Sequence, residues 1–208
     1  TPLHGNSTRA DSKFSVRKLT MTAMLGAVAT VLMYISVSVP LMPSFIKLDL
    51  SELPALIASF ALGPLSGVAV CLIKNLINLF FSTTGGVGEL SNFLLGAIFV
   101  FVAGMFYRYM GGRKGALIGS LCGAAAMAVF SVFSNYFVVY PVYTAFMPME
   151  TILSMYQAIN PNVETLWDAL IWFNMPFTFL KGMLSVVITL LIYKKLSPLL
   201  KGTKKLAK

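Results

Sequence analysis

The chain has 208 residues, 57% of them hydrophobic and 11% charged, with a mean hydropathy of +0.81. This composition excludes a soluble globular domain, and the length leaves room for five or six membrane spans and little else. The net charge of +9 does not point to nucleic acid, because thirteen of the sixteen Lys and Arg residues fall in three clusters, Arg9–Lys18, Arg108–Lys114 and Lys194–Lys208, as the positive-inside rule produces.

Residues 1–12 are expected to be a tag remnant or disordered tail, ahead of a single membrane domain over 13–208. The first apolar segment is too long for a signal-peptide core and has no small-residue cleavage site after it. The first span is expected over about 19–39. Within it Thr22, Ala23, Gly26, Ala27 and Thr30 put small side chains on one face. Ala23-Met-Leu-Gly-Ala27 is a small-xxx-small pattern, suited to packing inside the bundle or to docking of another membrane subunit. Val39-Pro-Leu-Met-Pro43 ends the span, and residues 40–50 form an external loop with apolar tips at Leu41, Met42, Phe45 and Ile46. Such a loop suits lipid contact or a lid.

The chain is organised around Lys47 to Gly67. Asp49, Ser51 and Glu52 precede a short apolar segment, about 50–62, which Gly63-Pro64 interrupts before Leu65–Phe81. Polar groups beside a short, broken membrane helix are a common setting for a ligand site. Read as one kinked helix, the stretch gives five spans and separates the N-terminal basic arm from the Arg108–Lys114 cluster. Read as a tight turn, it gives six spans and gathers all three basic clusters on one side. Charge selects the second: six transmembrane helices with both termini cytoplasmic.

Ser82–Asn92 is an external turn leading into a fourth span that ends near Tyr107. The fifth covers about 116–140 and opens with Gly115, Gly119 and Gly123, read as packing glycines. An external segment over about 141–166 follows, long enough to be functional. The sixth span, about 170–193, carries Asn174, Thr178 and Lys181 on one helical face. A lysine this deep requires a partner or water; it either pairs with Glu89 or, as the favoured expectation, faces a ligand cavity. Lys74, on the third span, is a weaker candidate that suits snorkelling or bracing its own helix.

Catalytic groups are missing: no histidine lies in a span, no pair of intramembrane aspartates exists, and no phosphate-binding loop with its lysine is present. Cys71 and Cys122 read as buried small hydrophobes, and no metal site is expected. What remains is a polar set biased to the outer half, among it Asp49, Thr84, Glu89, Asn92, Asn135, Asn174, Thr178 and Lys181, with aromatics that include Tyr136 and Phe177. Flat aromatic walls beside amides and a lysine suit a planar, mostly neutral heterocycle with a polar tail. A phosphorylated ligand fits less well, since the outer side carries almost no cations.

Ala23-Met-Leu-Gly-Ala27, Lys47 to Gly67, Thr84 to Asn92 and Asn174-Met-Pro-Phe-Thr-Phe-Leu-Lys-Gly182 together resemble the substrate-binding S components of energy-coupling factor (ECF) vitamin transporters, within them the riboflavin type, over about residues 14–200. The resemblance implies an all-α six-helix membrane bundle of the prokaryotic plasma membrane that binds its vitamin near the outer face, under a lid formed by the loop after the first helix. It implies no enzymatic activity and no cofactor, with riboflavin as transported ligand. The implied partners are a membrane coupling (T) subunit, docked through Ala23 and Ala27, and two cytoplasmic ATPases. Ligand contacts are expected from Leu48, Asp49, Thr84, Gly85, Glu89, Asn92, Asn135, Tyr136, Asn174, Phe177, Thr178 and Lys181. Related riboflavin binders often carry Asn at the position of Thr178. Two alternatives stand beside this reading: an S component for another vitamin, and a self-sufficient ion-coupled secondary transporter.

Overall fold

The structure, a computed structural model, describes residues 7–39, 42, 46–82 and 85–200, with side chains from residue 16 to residue 192. Helix α1 (Ser7–Tyr34) takes residues 7–12, expected as tail, into its first turns. Its small residues divide between two faces. Thr22, Gly26 and Thr30 are buried, with Gly26 close against Ile73, whereas Ala23 and Ala27 are exposed. The expectation of one shared face is thereby corrected. Neighbouring residues differ by about 100° around a helix, enough to turn 23 and 27 away from 22, 26 and 30.

Past α1, β1 (Val37–Ser38) pairs antiparallel with β2 (Lys47–Leu48), Val37 opposite Leu48 and Ser38 opposite Lys47. Of the expected lid, residues 40, 41 and 43–45 lie outside the described residues.

The chain then enters α2 (Glu52–Leu62) and α3 (Pro64–Leu79), and the break between them is a reversal. Gly63 sits at φ 107°, where a Cβ is strained, and Pro64 takes the first helical position, where its missing N–H costs nothing. The two helices fold back on each other so closely that a Cβ on Gly67 would lie 2.9 Å from the Ala55 carbonyl oxygen. At 11 residues α2 is about 16 Å long, roughly half the apolar thickness of a bilayer.

Helices α4 (Val87–Met110) and α5 (Gly112–Ser134) form the next hairpin. Gly119 and Gly123 face α4, where a Cβ would come 2.6 Å from the carbonyl oxygens of Ala103 and Phe99. α5 runs on through a π-helical turn, Asn135–Val139, into α6 (Tyr140–Tyr143). The following stretch is more than a loop. It contains α7 (Met149–Gln157), and it buries Ile152, Tyr156 and Val163 against Val132, Tyr140, Ala169 and Leu170. Thr165 caps α8 (Leu166–Ala169) reciprocally with Asp168; a second π turn, Leu170–Asn174, leads into α9 (Met175–Leu200).

Among the described residues, Val16–Tyr34, Val87–Met110, Gly112–Tyr143 and Leu166–Ile192 are long and apolar enough to cross a membrane, while α2 and α3 are shorter apolar helices. A core of small and branched residues, among them Ala55, Ala58, Val70, Val100, Ala103, Ala124 and Val186, joins α2, α3, α4, α5 and α9. With glycine or alanine at the crossing points, as at Gly67, Gly119 and Gly123, the backbones approach closely, which is how helices associate where the surrounding lipid is as apolar as the core.

Candidate functional site

A cavity of about 690 Å³ opens between this core and the Tyr140–Tyr156 cluster. Its lining comes from most parts of the chain, including Glu52 at the start of α2 and Tyr140 of α6. Met33 and Tyr34 end α1, Lys47 is in the ladder and Asp49 follows it, and Asn78 is on α3. Glu89, Asn92 and Leu95 belong to α4, Met127 and Asn135 to α5 and its π turn, and Phe177, Thr178 and Lys181 to α9.

The two amides owe their positions to the π turns. Asn135 opens one and Asn174 closes the other, and both are buried yet line the cavity. A π turn inserts a residue into a helix and redirects the side chains around it, and such turns are frequent at functional sites. Ser91 donates to Asn135 Oδ1 at 3.3 Å. Tyr156, from α7, donates to Asn174 Oδ1 at 2.7 Å, Asn174 Nδ2 donates to the Tyr140 hydroxyl at 3.4 Å, and the two tyrosine hydroxyls bond each other. This closed ring holds the Asn174 amide in place.

One side of the cavity is charged. Lys181 Nζ donates to Asp49 Oδ2 at 2.9 Å and to Asn92 Oδ1 at 3.1 Å. Burial alone would raise the Asp49 carboxyl, but the ammonium groups of Lys181 and Lys74, with the Ser51 hydroxyl, hold it well below the usual carboxylate range. Behind this pair lies a second one. Lys74 Nζ is 2.6 Å from Glu52 Oε1, and both side chains are essentially inaccessible. Glu89 accepts from Asn78 Nδ2 at 3.2 Å and from Ser82 Oγ at 2.7 Å.

Nine of the residues expected at a ligand site therefore meet on one cavity: Asp49, Gly85, Glu89, Asn92, Asn135, Asn174, Phe177, Thr178 and Lys181. Two others lie off it. Leu48 sits on an extended segment between Lys47 and Asp49, which both line the cavity, so the alternation of a strand turns it away. Tyr136 is stacked on Trp167, with ring centroids 4.2 Å apart, instead of forming an apolar wall. Thr84 is outside the described residues. The pairing considered for Lys181 is also corrected: its carboxylate is Asp49, not Glu89.

The part that Tyr140 and Tyr156 play in holding Asn174, and the Glu52–Lys74 pair, were not foreseen from the sequence. Periodicity gives no signal for the tyrosine ring. The ion pair did leave one, because Glu52 and Lys74 are equidistant from Gly63, as partners across a tight helical hairpin must be. Chemically the site is equipped to bind, with amides, an ammonium and carboxylates around apolar walls. Among the described residues, no group of three His, Cys, Asp or Glu side chains comes together to hold a metal ion.

The family model for the substrate-specific component of ECF transporters matches residues 17–193. Among curated proteins, the chain is 31% identical to the riboflavin transporter FmnP of Bacillus subtilis (strain 168), over 88% of this chain and 93% of that protein. It is likewise 31% identical to the riboflavin transporter RibU of Staphylococcus aureus (strain TCH60), over 89% and 93%. A solved structure described as "Structure and mechanism of the S component of a bacterial ECF transporter" superposes with a TM-score of 0.72 at 31% identity, covering 90% of this chain and 99% of that one.

Proposed function

The chain belongs to the substrate-specific components of ECF transporters, and from that premise we propose that it is the riboflavin-binding subunit of an ATP-driven vitamin importer. The observation that carries the reading is the lining of the cavity, in which two π-turn amides and a lysine stand around apolar walls. Its volume, about 690 Å³, is in the range of about 300–1,000 Å³ typical of small-molecule sites.

In this reading the flavin ring system lies against Phe177, Leu95 and Met127. Its edge alternates carbonyl, N–H and ring-nitrogen groups, which Asn135, Asn174, Thr178 and Lys181 are equipped to meet. The hydroxylated tail extends towards Asp49, Gly85, Glu89 and Asn92, with Leu48 and Thr84 at the base of the lid. Burying a ring of this size gives the affinity, and the amides give the selectivity, since an analogue lacking one edge group would forgo a hydrogen bond at a buried, already oriented amide.

The reading includes six spans, with α2 and α3 as a short hairpin and both termini on the cytoplasmic face of the prokaryotic plasma membrane. That arrangement is supported by the three basic clusters, which it gathers on one side. Ala23 and Ala27, exposed on α1, would dock the membrane coupling subunit, itself attached to two ATPases. The chain would then bind and deliver without turnover of its own.

Reconstitution into liposomes tests this. Riboflavin should accumulate only when the coupling subunit, both ATPases and ATP are present. Uptake by the chain alone under an ion gradient would instead establish a secondary transporter, and selective binding of a different vitamin would reassign the ligand.

A further inference from the structure

Four ionisable side chains meet at one side of the cavity, and only three of them line it. Asp49, Glu52 and Lys181 do; Lys74, from α3, is fully buried behind them. The four are joined in one line of hydrogen bonds. Lys74 Nζ donates to Glu52 Oε1 and to Ser51 Oγ, both at 2.6 Å. Ser51 donates in turn to Asp49 Oδ1, through its hydroxyl and through its backbone N–H at 2.8 Å. Asp49 presents its other oxygen to Lys181.

Two ammonium groups and two carboxylates balance, so the cluster as a whole is neutral. Lys74 is the member that reaches both carboxylate-bearing residues at the root of α2, one directly and one through Ser51. The surroundings leave little alternative. Gly96 of α4 packs so closely that a Cβ there would lie 2.6 Å from Glu52 Oε2, and Cys71 of α3 donates weakly to the same oxygen at 3.7 Å. Neither supplies a charge to replace Lys74. Without its ammonium, the Ser51 hydroxyl oxygen would lose the donor that fixes its orientation, so that its O–H would no longer be held towards Asp49, and Glu52 would be left as an unpaired carboxylate on the cavity wall.

We infer that Lys74 is a positioning residue for the ligand: it sets Asp49 through Ser51, and Asp49 in turn sets the Lys181 ammonium in the cavity. This rests on the reading of the cavity as the riboflavin site. Lys74 touches no ligand itself and acts only through the cluster, which ties α3, the root of α2, α9 and, through Asn92, α4 at one point.

The test is a binding cycle on the full chain in detergent, with riboflavin affinity read from quenching of flavin fluorescence. It compares wild type, Lys74→Met, Lys181→Met and Lys74→Met/Lys181→Met. Wild-type binding checks the site reading separately; if wild type does not bind, that reading fails and the inference falls with it. Where wild type binds, Lys74→Met should weaken affinity at least tenfold, and Lys74→Arg should recover most of it. In the Lys181→Met background, loss of Lys74 should change affinity by less than twofold, which a general packing defect would not produce. Wild-type-like affinity in Lys74→Met, or full additivity of the two losses, overturns the inference. Should Lys74→Met not yield folded protein, Glu52→Gln/Lys74→Met, which removes both charges of the inner pair, carries the same comparison against Glu52→Gln. If that double variant also fails to fold, Lys74 is a folding residue only and the positioning role is rejected.

Discussion

Replacing Lys181 by methionine separates stability from binding. In the folded chain the ammonium is 11% exposed and its carboxylate partner Asp49 only 6%. Removing one partner of a buried pair leaves the other desolvated and unpaired, typically at a cost of about 3–5 kcal/mol. Asp49 keeps two hydrogen bonds from Ser51 and the field of Lys74, so the lower end of that range, about 3 kcal/mol, is expected. Binding should weaken at least tenfold, about 1.4 kcal/mol, through loss of a donor inside the cavity. The second variant, Asp49→Asn/Lys181→Met, removes both charges. It should recover most of the stability, since no unpaired carboxylate remains, while binding stays weak. Thermal unfolding in detergent and flavin fluorescence quenching measure the two effects on the same samples. A double variant that binds riboflavin like wild type would refute the assignment of Lys181 to the site. A single variant as stable as wild type would refute the energetic argument for the pair.

Gly96→Ala should destabilise the chain by about 1–3 kcal/mol, because the new methyl group meets the Glu52 carboxylate; a variant unfolding within a degree of wild type would contradict this close contact. Leucine at both Ala23 and Ala27 should leave riboflavin affinity unchanged and abolish uptake by the assembled transporter, because both residues face outward and away from the cavity. Flavin mononucleotide should bind at least tenfold more weakly than riboflavin in competition, since a phosphate on the tail would meet the carboxylates of Asp49 and Glu89, with Lys47 the one cation among the described lining residues besides the Asp49-paired Lys181. The pH dependence follows from the depressed pKa of Asp49. Its stabilisation is fully present above the unfolded carboxylate value of 3.8 and is lost only as pH falls through the lower folded value, so unfolding temperature should show no loss from this pair between about pH 7 and 5.

Much of the fold was legible because membrane insertion leaves coarse marks on a sequence. Long apolar runs and basic clusters marked the membrane class, and the Gly63-Pro64 pair marked the reversal between α2 and α3. Seven of the nine cavity residues, all but Gly85 and Phe177, were legible for a related reason: a polar side chain in or beside an apolar run is costly unless it has a task. The parts that were not legible depend on tertiary geometry. A π turn adds one residue to a helix without any signature in hydrophobic periodicity, so nothing in the local pattern announced that Asn135 and Asn174 would be redirected in this way. The choice of Asp49 over Glu89 as partner of Lys181 depends on how the extended segment after β2 meets α9, across 132 positions of sequence. Tyr136 illustrates the opposite error, in which residue type suggested a ligand wall and the fold gave it Trp167 instead. On α1 the small residues were recognised, but their division into an inward trio and an outward pair needed the helix's rotation about its axis, which packing against Ile73 fixes.

The most direct measurement is the visible absorption spectrum of the chain purified without added flavin, followed by titration with riboflavin. The purified protein should be yellow, or colourless and able to quench the fluorescence of one equivalent of added riboflavin. A folded, colourless protein that leaves riboflavin fluorescence unchanged would contradict the riboflavin-binding assignment.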